Sequence, residues 1–134
     1  RIIYLMLDLR NGKKDIKQLV WNIEEWLIVV LKELGVSGYR IPGLIGVWVK
    51  DPKGVNADGS KDKKIAALGL RVKKWVTFHG LSLNVDPDLG FFNGINPCGI
   101  SGKGVTSLLE LGYKIKMEDV DRIFQRTFTP IFLK

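Results

Sequence analysis

Chemically versatile side chains are scarce in this sequence, which has one cysteine and one histidine among its 134 residues. A single cysteine cannot form an internal disulfide bond, and this usage is typical of a reducing compartment, so we expect a cytoplasmic location. One cysteine and one histidine also leave too few ligands for a Cys/His zinc site, and we expect no metal. The sequence therefore excludes a disulfide scaffold and argues against a structural zinc domain.

Long apolar runs are missing as well. No stretch approaches the roughly 18 consecutive apolar residues that a membrane span requires, and the start of the chain shows none of the basic and apolar regions of a signal peptide. Hydrophobic residues make up 46% and charged residues 26% of the chain, proportions typical of a globular core. We expect residues 1–134 to form a single domain without a membrane partner.

The charge is unbalanced, with 21 Lys and Arg against 14 Asp and Glu, a formal net charge of +7. A basic surface attracts nucleic acid, anionic membranes or acidic proteins, and it also promotes solubility alone. Surfaces that bind nucleic acid interleave cations with stacking aromatics. Here the lysines are scattered and no RRM, KH or zinc-finger signature occurs, so we expect no nucleic-acid partner.

Periodicity and turn signals predict two helices and several short strands. Apolar residues at helical spacing predict a helix over 15–34, with Gly35 as its stop signal. A second helix is predicted over 117–133, with Pro130 near its end. Predicted strands cover 2–9, 39–41, 44–50, 63–73 and 75–85, and 106–111 fits either a strand or the start of a helix. The pattern indicates a mixed α/β (α+β) fold, with a largely antiparallel sheet and packing helices.

A segment rich in Pro, Gly, Asn and Asp runs over residues 86–104 and contains the lone cysteine, Cys98. Irregular loops of that length are often functional. Pro97 restricts the backbone before Cys98 and Gly99 lets a ligand approach closely, so a thiol on a rigid turn is a candidate nucleophile. The alternative is a buried apolar cysteine, and the residues alone leave both interpretations open.

Lys64 opens an apolar strand whose small residues, Gly69 among them, would let a ligand lie against it. A lysine in such a place commonly runs its stem along apolar surface and keeps its ammonium in water. Its chemistry changes if it reaches Cys98, because a cation beside a thiol lowers the thiol pKa and a desolvated lysine can move protons near neutrality. Both interpretations stay open at this point.

His79 is the only histidine and therefore the obvious candidate base. Strict alternation along the predicted strand would place His79 on one face together with Trp75, Thr77, Leu81 and Leu83. That arrangement favours a half-buried structural histidine at least as strongly as a catalytic one.

Three sequence blocks together resemble the lipoyl(octanoyl) transferases, also called lipoate-protein ligase B. The blocks are Lys63-Lys64-Ile65-Ala66-Ala67-Leu68-Gly69-Leu70-Arg71, Phe78-His79-Gly80-Leu81-Ser82-Leu83-Asn84-Val85 and Ile95-Asn96-Pro97-Cys98-Gly99. They occur in the order of the family and with the expected spacing from lysine to cysteine. The resemblance covers roughly residues 1–110 and implies the mixed α/β fold shared with biotin protein ligases.

The resemblance also implies an activity, its partners and its site residues. The family moves an octanoyl group from acyl carrier protein to a lysine of lipoyl domains, in the 2-oxoacid dehydrogenase complexes and in the glycine cleavage H protein. It requires no cofactor. By match, Cys98 is the nucleophile that carries a thioester and Lys64 is its activator. The stretches that match the acyl-binding segments are Ala67-Leu68-Gly69 and Gly80-Leu81-Ser82, and we group the adjacent His79 with them as a substrate-binding residue.

Two segments of the family have no counterpart in the sequence, an upstream Arg-Gly-Gly and a Thr-Tyr-His-Gly-Pro-Gly-Gln that close the acyl pocket. The resemblance therefore implies a member without its N-terminal part, with an acyl groove open on one side. Two other interpretations remain, an ATP-dependent lipoate-protein ligase of the same fold and a non-catalytic remnant that docks lipoyl domains or carrier protein. The setting of Cys98 and the lack of a phosphate-holding motif favour the transferase.

Overall fold

The computed structural model describes residues 1–88 and 103–133 of the chain. Within that part, two helices accompany a six-stranded sheet, as the α+β interpretation predicts. The elements, in chain order, are β1 (Ile2–Tyr4), α1 (Ile16–Glu33), β2 (Tyr39–Ile41), β3 (Leu44–Lys50), β4 (Asp62–Lys73), β5 (Val76–Leu83), β6 (Gly104–Val105) and α2 (Met117–Phe132).

The sheet has the spatial order β1-β5-β4-β3-β2, and every neighbouring pair in that path is antiparallel. Strands β2 to β5 form the predicted meander. The short strand β6 lies off the path and pairs in parallel with the beginning of β4, where Lys63 faces Gly104 and Lys64 faces Val105. Strand β4 is therefore the central strand, with β3 on one side and both β5 and β6 on the other.

Two predicted elements differ from the structure. The strand predicted over 2–9 is regular only up to Tyr4, because the Thr77 hydroxyl then enters the ladder: it accepts from the Leu7 amide at 2.8 Å and donates to the Leu5 carbonyl at 2.7 Å. The segment stays beside β5 through an isolated bridge between Asp8 and Val76. Residues 106–111 form neither a strand nor a helix. There the Ser107 hydroxyl accepts from the Glu110 amide at 3.0 Å and closes a turn.

Helix α1 begins and ends where the sequence signals place its boundaries. The Asp15 carboxylate accepts from the Gln18 amide at 3.1 Å and caps the first turn. At the other end Gly35 has a φ of +87°, and its amide donates to the Lys32 carbonyl at 3.0 Å. Gly35 thus takes the left-handed conformation that terminates many helices.

Both helices pack on one face of the sheet. Trp26 of α1 joins them, since its ring lies edge-on to Phe124 at a centroid distance of 5.0 Å and its Nε1 donates to Thr127 Oγ1 at 2.9 Å. The buried cluster includes Val30 and Leu31 from α1 and, from the sheet, Val47, Val49, Ile65, Ala66, Leu81 and Leu83. The other face of the sheet carries no helix in the part of the chain that the structure describes.

Candidate active site

A groove lies on the face of the sheet opposite to the helices. It has a volume of about 370 Å³. Its floor is built from cross-strand pairs of small residues, in which Ala67 faces Ser82 and Gly69 faces Gly80. The exposed side chains of Ile2 and Tyr4, which pair with Ser82 and Gly80, form one wall. All seven residues predicted to bind substrate line it, namely Ala67, Leu68, Gly69, His79, Gly80, Leu81 and Ser82.

The two glycines of the groove have different reasons to be glycine. A Cβ at Gly80 would lie 2.0 Å from the Ile3 carbonyl oxygen, so only glycine lets β1 pair this closely. A Cβ at Gly69 would meet nothing within 4 Å. Packing therefore does not require glycine at position 69, and the absence of a side chain there leaves the groove open.

The expected position of His79 is wrong. Thr77, Leu81 and Leu83 are buried, but His79 is exposed. Its φ of +65° turns the chain into the left-handed region, which breaks the alternation along β5. The imidazole lies beside the Phe78 ring, with centroids 5.8 Å apart, and lines the groove rather than the core.

Lys64 does not keep its ammonium in water, so the surface interpretation of this lysine is wrong. The residue is only 3% exposed, and its Nζ lies 5.1 Å from the centroid of the Trp48 ring. Its backbone pairs with Trp48 on one side and Val105 on the other. Lys64 is thus buried because β4 is the central strand, although the residues around it in the sequence predict a surface position.

Gly46 provides the space that Lys64 occupies. A Cβ at this glycine would lie 3.0 Å from Lys64 Cε and 2.9 Å from the Ala66 carbonyl oxygen, and the φ of +123° also excludes other residues. The amide of Gly46 donates to the Glu24 carboxylate at 2.9 Å. Gly46 and Trp48 were not among the predicted site residues. The signal for Gly46 was a glycine inside a strand, which often marks a close approach.

A shift of register places Lys64 on the face that carries the groove. Neighbours in a regular strand point to opposite faces, yet Ile65 and Ala66 both belong to the core cluster. The pairing of β4 with β3 slips at this point, between Val47 and Trp48. Lys64 and Ala67 flank the slip, so both project from the face opposite to the helices.

A polar cluster holds the start of β6 and the residue before it. Lys103 Nζ contacts Asp58 Oδ2 at 2.8 Å and Ser60 Oγ at 3.0 Å, and the Gly104 amide donates to Asn56 Oδ1 at 3.0 Å. Hydrogen bonds from Lys103 and Ser60 hold the pKa of the Asp58 carboxyl well below its usual range. The start of β6 is thereby fixed beside Lys64.

Cys98 and Asn96 lie outside the described residues, and the predicted pairing of Lys64 with Cys98 stays a prediction. In the sequence, Cys98 stands seven residues before Val105, the residue that pairs with Lys64. Among the described residues, no group of His, Cys, Asp and Glu side chains could hold a metal ion. No helix in residues 1–88 and 103–133 is long and apolar enough to span a membrane.

Two solved structures share the arrangement of helices and strands. A structure of a bipartite lipoate protein ligase and its E2 lipoyl domain from Thermoplasma acidophilum matches with a TM-score of 0.68 and 16% identity, over 98% of this chain and 50% of that one. A Plasmodium falciparum protein solved in complex with lipoate matches with a TM-score of 0.60 and 13% identity, over 97% of this chain and 34% of that one. At these identities the likeness establishes the fold.

The sequence establishes the family. Residues 1–129 match the lipoyl protein ligase A/B catalytic domain, and the chain belongs to this family. Over 98% of its length it is 52% identical to an octanoyltransferase of Parvibaculum lavamentivorans and 47% identical to one of Dinoroseobacter shibae. The chain spans 57% and 62% of the lengths of these two relatives. The resemblance described above is therefore confirmed.

Proposed function

We propose that the protein is an octanoyltransferase that moves an octanoyl group from acyl carrier protein to a lysine of a lipoyl domain. The observation that carries the proposal is one continuous sheet face, on which a groove of small residues lies next to the buried Lys64. The relatives that are about half identical to the chain bear the name octanoyltransferase. Lipoyl domains of 2-oxoacid dehydrogenases and the glycine cleavage H protein are the proposed acceptors.

The groove suits a medium-length hydrocarbon chain. Ala67, Gly69 and Gly80 leave an open floor, and Ile2 and Tyr4 add apolar side chains along one edge. Burial of an alkyl chain stabilises a complex by about 0.8 kcal/mol per CH₂ group, so an eight-carbon chain would gain several kcal/mol. That is enough to favour octanoyl over much shorter acyl groups.

The reaction consists of two acyl transfers. The Cys98 thiolate attacks the carbonyl carbon of the donor thioester and a new C–S bond forms. The bond from that carbon to the carrier sulfur breaks, and the carrier leaves as a thiolate that takes a proton from water. The amine of the acceptor lysine then attacks the thioester on Cys98, an amide forms, and the Cys98 sulfur leaves. Atoms and charges balance over both steps, and neither ATP nor a metal is consumed.

Lys64 can serve both steps. As an ammonium it stabilises the Cys98 thiolate, and as a neutral amine it takes the proton that the acceptor amine loses. Its burial beside the Trp48 ring supports this role, because a low local dielectric strengthens the interaction of a cation with a nearby anion. We propose that His79 shapes the groove and does not transfer protons, since its exposed ring lines the groove.

Intact mass after mixing with octanoyl-acyl carrier protein tests the proposal. We expect a mass increase of one octanoyl group in the wild type and in Lys63→Arg, the matched control one residue from Lys64, and no increase in Cys98→Ser. Consumption of ATP with free octanoate, without a covalent adduct, would instead identify a lipoate-protein ligase. Neither an adduct nor ATP consumption, together with binding of carrier protein or lipoyl domain, would identify a non-catalytic docking protein.

A further inference from the structure

Six exposed cations meet at the end of the sheet where β4 turns into β5. We call them the basic surface: Arg10, Lys13, Lys14, Arg71, Lys73 and Lys74. Two contacts join the two parts of the chain that supply them. The Leu9 amide donates to the Trp75 carbonyl at 2.8 Å, and Lys14 Nζ lies 5.7 Å from the centroid of the Trp75 ring.

Little negative charge balances this surface. Asp8 forms a two-pronged contact with Arg10, at 2.9 and 2.6 Å, and Asp15 caps helix α1. The other five cations make no ion pair with any residue in 1–88 or 103–133. Much of the net charge of +7 is therefore concentrated here and is available to a partner.

Two residues of the basic surface, Arg71 and Lys73, continue the face of the sheet that carries the groove. Residues two apart on a strand share a face, and the pairing of β4 with β5 is regular from Ala66 to Lys73. Arg71 and Lys73 thus follow Ala67 and Gly69 on the same face. At about 3.3 Å per residue, Lys73 stands about 13 Å beyond Gly69 and roughly 30 Å from Lys64, a span that a small protein domain covers.

We propose that the basic surface docks the acidic surface of the carrier protein that donates the acyl group, an inference that rests on the proposed octanoyltransferase activity. The cations are spread over a hairpin end and a neighbouring loop rather than converging on one point, which fits a protein surface better than a small anion. The reacting group of the donor is an uncharged thioester, so the charge that binds the basic surface can come from the acidic surface of the carrier protein itself. The acceptor must present a lysine, and a basic surface repels that charge.

Nucleic acid fits this surface less well. Single-stranded nucleic acid binds where successive aromatic rings offer stacking platforms between cations. The basic surface offers one partly exposed ring, Trp75, and Lys14 already lies over it. The basic surface offers cations without a series of stacking rings, and this favours an acidic protein over nucleic acid as its partner.

The test measures binding of acyl carrier protein without an acyl group to the wild type and to two double variants. Lys73→Glu/Lys74→Glu reverses charge on the basic surface. Lys114→Glu/Lys116→Glu reverses the same number of exposed charges before α2 and is the control. We expect about tenfold weaker binding or more in the first variant, less than about twofold change in the control, and weaker wild-type binding as salt is raised. Equal loss in both variants, or no loss in either, overturns the proposal.

Kinetics and alternative partners separate this proposal from the proposed activity. With octanoyl-carrier protein, the Lys73→Glu/Lys74→Glu variant should raise KM and leave kcat unchanged, and with octanoyl-N-acetylcysteamine, a small thioester, both constants should stay at wild-type values. Binding that depends on this surface in a protein that transfers no octanoyl group from either donor would refute the activity and support the docking site. If the Lys73→Glu/Lys74→Glu variant loses binding only to a lipoyl domain, or only to a single-stranded oligonucleotide, the surface belongs to that partner and the proposal is overturned.

Discussion

Gly46 of β3 lies against Lys64 of the neighbouring strand β4. A side chain at position 46 would displace the lysine, because a Cβ at Gly46 would lie 3.0 Å from Lys64 Cε. The pair explains how a lysine can be 3% exposed in the centre of a sheet. The position of the proposed activator therefore depends on a residue in a different strand.

Gly46→Ala should impair both stability and activity. The substituted residue would have to hold a φ of +123° and would press on Lys64, so we expect a loss of about 1–3 kcal/mol in the free energy of unfolding. Urea denaturation measures the loss. Gly43→Ala is the control for positive φ alone, because a Cβ there meets nothing within 4 Å. If Gly43→Ala reduces octanoyl transfer as much as Gly46→Ala, contact with Lys64 is not the cause.

Gly80 and Gly69 form a matched pair that faces each other across β4 and β5. Gly80→Ala should destabilise the fold by about 3 kcal/mol or more, because the new Cβ would lie 2.0 Å from the Ile3 carbonyl oxygen and would force β1 away. Gly69→Ala should change stability by less than about 1 kcal/mol. Thermal and urea unfolding of the two variants compare them directly, and similar stabilities would show that β1 does not require glycine at position 80.

Thr77→Val should weaken the attachment of the segment after β1. The substitution keeps the shape of the side chain and removes the hydroxyl that contacts Leu7 and Leu5 at 2.8 and 2.7 Å. The part-buried Leu7 amide and the buried Leu5 carbonyl lose a partner, at a cost of about 1–3 kcal/mol in the free energy of unfolding. Thr129→Val, at an exposed position of α2, is the control and should stay near the wild type. Equal unfolding midpoints in urea for both variants would refute this role of Thr77.

Much of the fold follows from local signals in the sequence. The Asp15 cap, the Gly35 stop and the meander of β2 to β5 depend on neighbouring residues and short turns, and the structure confirms them. The early end of β1 was not predictable, because it depends on the Thr77 hydroxyl, whose sequence separation from Leu7 is 70 residues.

The candidate site was predictable only in part. The small residues that line the groove stand in two recognisable blocks, but their meeting depends on the register between β4 and β5. The burial of Lys64 depends on Gly46 and on a slip in register, and the exposure of His79 depends on a positive φ. The β4–β5 register, the burial of Lys64 and the exposure of His79 produce no periodic pattern of residues, so they could not be predicted from the sequence.

Lys64→Arg should stop turnover at the second transfer. Arginine keeps the cation that stabilises a thiolate, but it cannot take a proton from the acceptor amine. We expect the octanoyl adduct to accumulate on Cys98 and transfer to a lipoyl domain to fall by about two orders of magnitude or more, the usual contribution of a general base. Lys63→Arg and His79→Ala should lose far less. A loss in His79→Ala as large as in Lys64→Arg would make His79 the base.

The measurement that tests the central claim most directly is the rate of octanoyl transfer from acyl carrier protein to a lipoyl domain by Cys98→Ser, with urea unfolding as the check on its fold. A serine hydroxyl is a far weaker nucleophile than a thiolate, so the account predicts that transfer is nearly abolished while stability stays at the wild-type value. Near-normal transfer by a folded Cys98→Ser protein would contradict the covalent mechanism.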